Sequence, residues 1–269
     1  MTSVAVECAG GASLLILLWL VYRYSLFIPA TKGLPILLYH KVSLNHNDSL
    51  TISTDRLDRQ LEYIKSSGHV PISFLDLKEA LAGRRALPAK PVIITFDDGY
   101  LSTYELAYPL LLKHEVKATI FLPVAYVGGV NQWDGGAEPL MPYEVLLKVA
   151  GRFIEFGLHS YRHENYERYT AEQIEADVSE CVSILTANGC PFSRVFAYPY
   201  GRVPKEQNIN RVMRDCFQRH RIDLAVRIGS RINVLPLKDV YELKRSAVRG
   251  TDSFWEFKIK LKKGRAKLF

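Results

Sequence analysis

The chain has 269 residues, 48% hydrophobic, 11% aromatic and 23% charged, the composition of an ordered globular domain. This excludes a disordered chain, a collagen-like repeat, a disulfide-dense mini-protein and a multi-span membrane protein. The formal charge of +7 points to an anionic partner, yet six of those charges fall in residues 258–269, which leaves +1 elsewhere and no basic face for a nucleic acid.

In chain order, Cys8 to Tyr22 carries no charge and contains the run Leu14 to Val21. If Arg23 snorkels, the stretch continues through Ile28 and reaches membrane-spanning length. Residues 1–7 contain no Lys or Arg, so a single-span anchor over residues 1–30 is expected rather than a cleaved signal peptide. Glu7 precedes the span, whereas Arg23, Lys32 and Lys41 follow it, a count that places the rest of the chain on the cytoplasmic side.

The body, residues 31–252, alternates short apolar runs with amphipathic stretches. Buried strands are predicted at Pro35–Tyr39, Val92–Phe96, Ala118–Leu122, Ile154–Leu158, Val195–Tyr198 and Leu224–Ile228. Helices are predicted over 54–66, 74–82, 102–114, 142–150, 170–187 and 204–219, with a capping box from Thr170 to Gln173 and a kink or early end at Pro109. Residues 124–140 form a Gly-rich loop long enough to suggest function. Repeated β–α units argue for a parallel barrel or an open sheet. Of the cysteines, Cys8 lies in the apolar segment, and Cys181, Cys190 and Cys216 are expected to be buried free thiols.

Residues 253–269 are set apart as a basic amphipathic tail. Phe254, Trp255, Phe257, Ile259 and Leu261 interleave with lysines, which suits either a membrane-surface segment or a last helix packed on the domain.

The polar residues collect where the predicted strands end. Asp97-Asp98-Gly99 follows one strand and His159 another, with His163 four residues later. His40 follows a third, and Pro199-Tyr200-Gly201 a fourth. Singly, an Asp-Asp-Gly is ordinary turn chemistry and two nearby histidines are a surface pair. Functional groups of α/β barrels, however, gather at the C-terminal ends of the parallel strands. Asp98, His159 and His163 make a two-histidine, one-carboxylate set suited to a divalent transition metal with open positions for water. Asp97 is then free to act as general base and His40 as general acid, parts of a metal-assisted amide or ester hydrolase. His46, His69, His114 and His220 fall in loops or helices and are read as structural or solvated.

Thr95-Phe96-Asp97-Asp98-Gly99, His159-Ser160-Tyr161-Arg162-His163 and Phe196-Ala197-Tyr198-Pro199-Tyr200-Gly201 resemble three motifs of the polysaccharide deacetylases, the NodB-homology domains of carbohydrate esterase family four. Leu38-Tyr39-His40 resembles the family's general-acid motif. Its place before the TFDDG motif is similar to the circularly permuted poly-β-1,6-N-acetylglucosamine deacetylases. The resemblance covers roughly residues 33–262. It implies a distorted (β/α)7-type barrel, Asp97 as base, His40 as acid, and Asp98, His159 and His163 as ligands of one divalent metal. Zinc is the first choice and cobalt or nickel are alternatives. It also implies an oxyanion and substrate site at Pro199, Tyr200 and Gly201, with the Tyr200 backbone N–H as a donor.

The sequence departs from the family at Glu164, where Pro is usual, and in the third motif, which lacks its Arg. Arg245 or Arg194 is the candidate replacement partner for Asp97. No fourth D-x-x-x-W motif is evident, and neither Trp133 nor Trp255 can be assigned to it. The expected function is removal of N-acetyl groups from hexosamine units of a cell-envelope or exported polysaccharide. An O-acetyl esterase, a deacetylase of a lipid-linked sugar and a catalytically idle glycan-binding protein are the alternatives. Membrane lipid, held by the anchor and the tail, is the expected second partner. Exported glycan as substrate favours an extracytoplasmic domain, against the charge count around the span.

Overall fold

A computed structural model of the chain describes residues 13–21 and 30–266. Residues 13–21 are helical (α1), with Leu14 to Trp19 exposed. Among the described residues no helix is long and apolar enough to cross a membrane, so the anchor expected over 1–30 finds no support there. The rest of that segment, and Lys267 of the tail, lie outside the described residues.

Strand β1 (Ile36–Tyr39) pairs in parallel with both β5 (Pro91–Phe96) and β10 (Leu243–Ala247). Between these run β6 (Ala118–Leu122), β7 (Ile154–Leu158), β8 (Val195–Ala197) and β9 (Leu224–Ile228), each parallel to its neighbour. The seven strands therefore close on themselves into a (β/α)-type barrel. Two short strands, β2 (Lys41–Ser43) and β3 (Thr51–Ser53), form a separate parallel ladder just past His40, and β4 (Val70–Pro71) extends the start of β5.

All six residues of β5 and all five of β6 are buried, as expected for parallel strands covered on both faces. Alternate residues point inward. Ile36, Ile93, Phe121, Val195, Ala197, Val226 and Leu243 pack into the barrel interior. Their sequence neighbours, such as Leu37, Ile94, Phe96 and Ile120, face a larger outer core. That core is completed by α2 (Thr54–Ser66), α4 (Tyr108–Lys113), α5 (Tyr143–Val149), α6 (Ala171–Ala187) and α7 (Gln207–Arg219).

One end of the barrel is plugged. Helix α3 (Phe74–Leu81) inserts Phe74 and Leu77 against the interior cluster. Its first backbone N–H groups, Phe74 and Leu75, donate to Glu155 at 2.9 and 3.0 Å. Glu155 also accepts from Thr119 and Ser193, and an anion at a helix N-terminus is favoured by the helix dipole. This end holds the strand starts, so the strand ends face the open rim.

Two local expectations are resolved in detail. The capping box at Thr170 and Gln173 opens α6. Pro109 has no N–H to continue the ladder, and residues Thr103–Ala107 accordingly form one wide π-helical turn before α4 begins. At the C-terminal end, α8 (Phe254–Lys263) turns Phe257, Ile259 and Leu261 into the protein and leaves Trp255 exposed. Its end is fastened by Ser246 Oγ donating to the Gly264 carbonyl. Cys181, Cys190 and Cys216 are buried and unpaired.

Candidate active site

The site grows from strand parity and register. In β5 the inward residues are 93 and 95, and the next inward position is Asp97. In β7 the inward residues 155 and 157 lead to His159. In β1, residues 36 and 38 lead to His40. Tyr39 pairs with Phe96, and the Asp97 N–H donates to the Tyr39 carbonyl at 2.9 Å, so His40 and Asp97 lie side by side at the rim.

Asp97 is buried, and both its oxygens accept from the Arg245 guanidinium: Oδ1 from Nη1 at 2.6 Å and Oδ2 from Nη2 at 2.7 Å. Arg245 lies on the inward face of β10 and is wholly buried. It also donates to Thr95 Oγ1 at 3.2 Å, and its guanidinium carbon lies 5.3 Å from the centre of the Phe121 ring. Burial alone would raise the Asp97 carboxyl, but the charge and hydrogen bonds of the Arg245 guanidinium outweigh it and hold the group below its ordinary value. Asp97 is therefore ionised at neutral pH. Arg194, the other candidate partner, is elsewhere: it donates to the His220 carbonyl and covers the Phe192 ring.

Asp98, His159 and His163 converge beside this pair. The His163 Nε2 is 3.2 Å and the His159 Nε2 3.5 Å from Asp98 Oδ1, and His159 Nε2 is 3.6 Å from Asp97 Oδ2. His159 Nδ1 donates to the Ala197 carbonyl at 2.7 Å. A carbonyl can only accept, so Nδ1 carries the proton and Nε2 presents a lone pair to the site. Burial holds the His159 imidazole down to a pKa of about 4, which keeps it neutral and able to ligate. Asp98 is likewise held ionised: burial opposes its charge, but the histidines around it prevail.

The donor set fits a divalent metal. The ligand atoms of Asp98, His159 and His163 all lie within 4.8 Å of one another, and Asp98 Oδ1, buried, has no hydrogen-bond partner. Such an orphaned carboxylate oxygen facing two imidazole nitrogens is the chemistry of an ion site. Among the described residues Glu175, Cys216 and His220 form a second cluster, but Glu175 is already bound to both Arg219 and His220.

Backbone strain concentrates at the same place. Asp98, Ser160, His163 and Tyr200 all have positive φ, at 73°, 62°, 57° and 56°. Each costs on the order of 1–3 kcal/mol and persists where the surroundings fix it. For the His159–His163 turn, that support includes Asp177 on α6, which accepts from the Tyr161 N–H at 2.9 Å and the Tyr166 hydroxyl at 2.7 Å.

The turn Pro199–Gly201 follows β8 and borders His163. Pro199 and Gly201 are buried, and Tyr200 is 52% exposed, its hydroxyl 3.3 Å from His163 Nδ1. Gly201 is obligatory: its φ is 65°, and a Cβ would lie 2.8 Å from Ile228.

Nothing local in the sequence places Trp133 at the site. The Gly-rich loop carries it onto His163, ring centres 4.7 Å apart and planes 27° apart, with Tyr126 behind it at 5.1 Å. The loop is held by buried Asn131, which donates to Asp134 and accepts from the Glu138 N–H. The remaining histidines serve local structure: His46 with Asp48, His69 with Ser67, His114 with Asp58 and His220 with Glu175.

A seven-stranded parallel barrel with a His-His-Asp set and a second, ion-paired aspartate at its open rim defines a class, the NodB-like barrels. Residues 84–216 match the family model described as polysaccharide deacetylase. The chain is 27% identical over 174 residues to the poly-β-1,6-N-acetyl-D-glucosamine N-deacetylase of Staphylococcus aureus strain MRSA252, covering 61% of this chain and 58% of that protein. The fold is that of IcaB from Ammonifex degensii (TM-score 0.71, 24% identity, 86% of this chain and 97% of that one). It is equally that of the Streptococcus pyogenes deacetylase PplD, solved in complex with acetate (TM-score 0.67, 22% identity, 83% and 95%).

Proposed function

We propose that the protein is a metal-dependent deacetylase that removes N-acetyl groups from N-acetylhexosamine units of a polysaccharide. The observation that carries this reading is the pairing of an unprotonated, Arg-held Asp97 with a separate three-residue ligand set 3–4 Å away. One aspartate is thus kept for proton transfer and the other for ligation. The similarity to poly-N-acetylglucosamine deacetylases supports the choice of an amide in an aminosugar.

Asp98, His159 and His163 would hold the ion, zinc by preference, with cobalt or nickel as substitutes. When bound, such an ion supplies Lewis acidity and lowers the pKa of a bound water. The chain's own residues account for the proton movements. Asp97 takes a proton from the attacking water as the new C–O bond forms. His40, beside it just past the end of β1, gives a proton to the nitrogen as the C–N bond breaks, so acetate and a free amine leave. The Pro199–Gly201 turn and Trp133 wall the site on the His163 side and confine the acetyl group, and the Tyr200 N–H is assigned to the developing oxyanion. The substrate class favours an extracytoplasmic setting for this domain.

Acetate release from N-acetylglucosamine oligomers tests the proposal. Asp97→Asn is expected to abolish release while metal binding persists. Full activity in that variant contradicts the proton-transfer scheme. Release from acetylated xylan with none from aminosugar oligomers would make the enzyme an O-acetyl esterase instead.

A further inference from the structure

A second cleft lies apart from the metal centre. It has a volume of about 520 Å³ and lies between the start of α7 and the outer face of β9, next to the two loops that build the site. Arg202, two residues beyond Tyr200, and Lys205 form one wall. Arg211 and Arg214 of α7 and Arg227 of β9 form the other. Glu167, four residues beyond His163, pairs with both Lys205 and Arg202 of the first wall.

The cations here outnumber the carboxylates. Arg214 is taken up by Asp239, and Arg227 shares Glu242 with Lys244. Arg202 has only the 3.8 Å contact with Glu167, which Lys205 already occupies. Among the described residues Arg211 donates only to the neutral Asn208 amide. Outside its C-terminal segment the chain is close to neutral, so this surplus is local. Guanidinium groups arranged around an open cleft, with donors left over, favour a tetrahedral or planar oxyanion.

We infer that this cleft is a subsite for an anionic group, a phosphate or a carboxylate, carried by the glycan a few atoms away from the acetylated sugar. This rests on the deacetylase reading and extends it: the substrate is an anionic polymer or one with anionic substituents. The chain path supports this placement. Tyr200 touches the metal ligand His163 and Arg202 lines the cleft, so a polymer seated at one reaches the other along a single loop.

Isothermal titration of the purified protein with inorganic phosphate, glycerol phosphate and glucuronate tests the subsite and separates phosphate from carboxylate. Binding is expected to weaken with salt and to fall by roughly tenfold or more in Arg202→Ser/Arg211→Ser, two exposed positions whose substitution leaves the core intact. It is expected to persist in Asp98→Asn. Loss in Asp98→Asn with retention in the double variant would place the anion at the metal centre and overturn the inference, as would no binding by the unaltered protein. In a second arm, a phosphate-substituted N-acetylated oligosaccharide is expected to show a lower KM than its neutral counterpart, an advantage that shrinks in the double variant. Equal KM values for the two in the unaltered protein would also overturn it. If neither oligosaccharide is deacetylated, the deacetylase reading fails while the titration still decides the anion site.

Discussion

Arg245 reaches across β1 from the last barrel strand and grips Asp97 with two hydrogen bonds of 2.6 and 2.7 Å. The pair is buried, and it joins strands β10 and β5, which do not touch each other directly in the ring. It therefore does two things at once: it staples the barrel where β1 closes it, and it fixes the charge of the aspartate nearest the ligand set.

Replacing Arg245 separates those effects. Arg245→Gln leaves a buried carboxylate without its counter-charge, at a cost of about 3–5 kcal/mol in stability. With the guanidinium gone, burial pushes the Asp97 carboxyl upward, so the acid limb of the pH–rate profile moves to higher pH. The sign for stability follows from the same shift. A depressed carboxyl stabilises the fold above its unfolded pKa and loses that contribution as pH falls through its folded value, so Arg245→Gln should flatten the acid side of the stability curve. Arg245→Lys, with charge but no fork, should fall between the two. An unchanged pH–rate profile in Arg245→Gln would contradict the assignment.

Metal binding is expected at one equivalent per chain. An ion at a hundred times its dissociation constant stabilises a folded protein by about 2.7 kcal/mol, which for a domain of this size is a rise of roughly 5–10 °C in Tm. Calorimetry with zinc should show this rise in the unaltered protein and in Cys216→Ser, and none in Asp98→Ala or His159→Ala. A rise that survives in Asp98→Ala but vanishes in Cys216→Ser would move the site to Glu175, Cys216 and His220.

Asp177, which braces the turn between His159 and His163, gives a second pH test. Burial raises its carboxyl to about 6, only partly offset by its bonds to Tyr166 and the 161–162 backbone. The folded state thus binds this proton more tightly than the unfolded state, and the stabilisation is complete below the unfolded pKa and lost as pH rises through about 6. Relative to Asp177→Asn, the unaltered protein should lose up to about 2–3 kcal/mol between pH 4 and 7 in denaturant titrations. A difference that stays flat or grows in the opposite direction would contradict a buried, uncompensated carboxyl.

Much of this architecture was legible in the sequence because parallel barrel strands, buried on both faces, read as short apolar runs. Six of the seven ring strands were predicted on that basis. The seventh, β10, was missed because Leu243-Lys244-Arg245-Ser246-Ala247 holds one buried arginine and one outward lysine, the pattern of a polar loop. That omission hid the strand address of Arg245, although the residue itself was named as a partner for Asp97. Asp97, Asp98, His159 and His163 could be placed because each lies at or just past a strand end, so strand prediction alone brings them to one rim. Trp133 could not, since its stacking on His163 depends on how a 17-residue loop folds back, and nothing local in the sequence specifies that. Likewise the charge surplus around Arg202 and Arg211 is scattered along the chain and assembles only when α7 packs beside β9.

The most direct test of the central claim is mass spectrometry of β-1,6- and β-1,4-linked N-acetylglucosamine oligomers after incubation with the zinc-, cobalt- or nickel-supplemented protein. Stepwise loss of acetyl groups from at least one oligomer is expected, abolished by Asp97→Asn and by chelation. Glycan binding without any acetyl loss under all three metals would contradict it and leave the protein a non-catalytic binder.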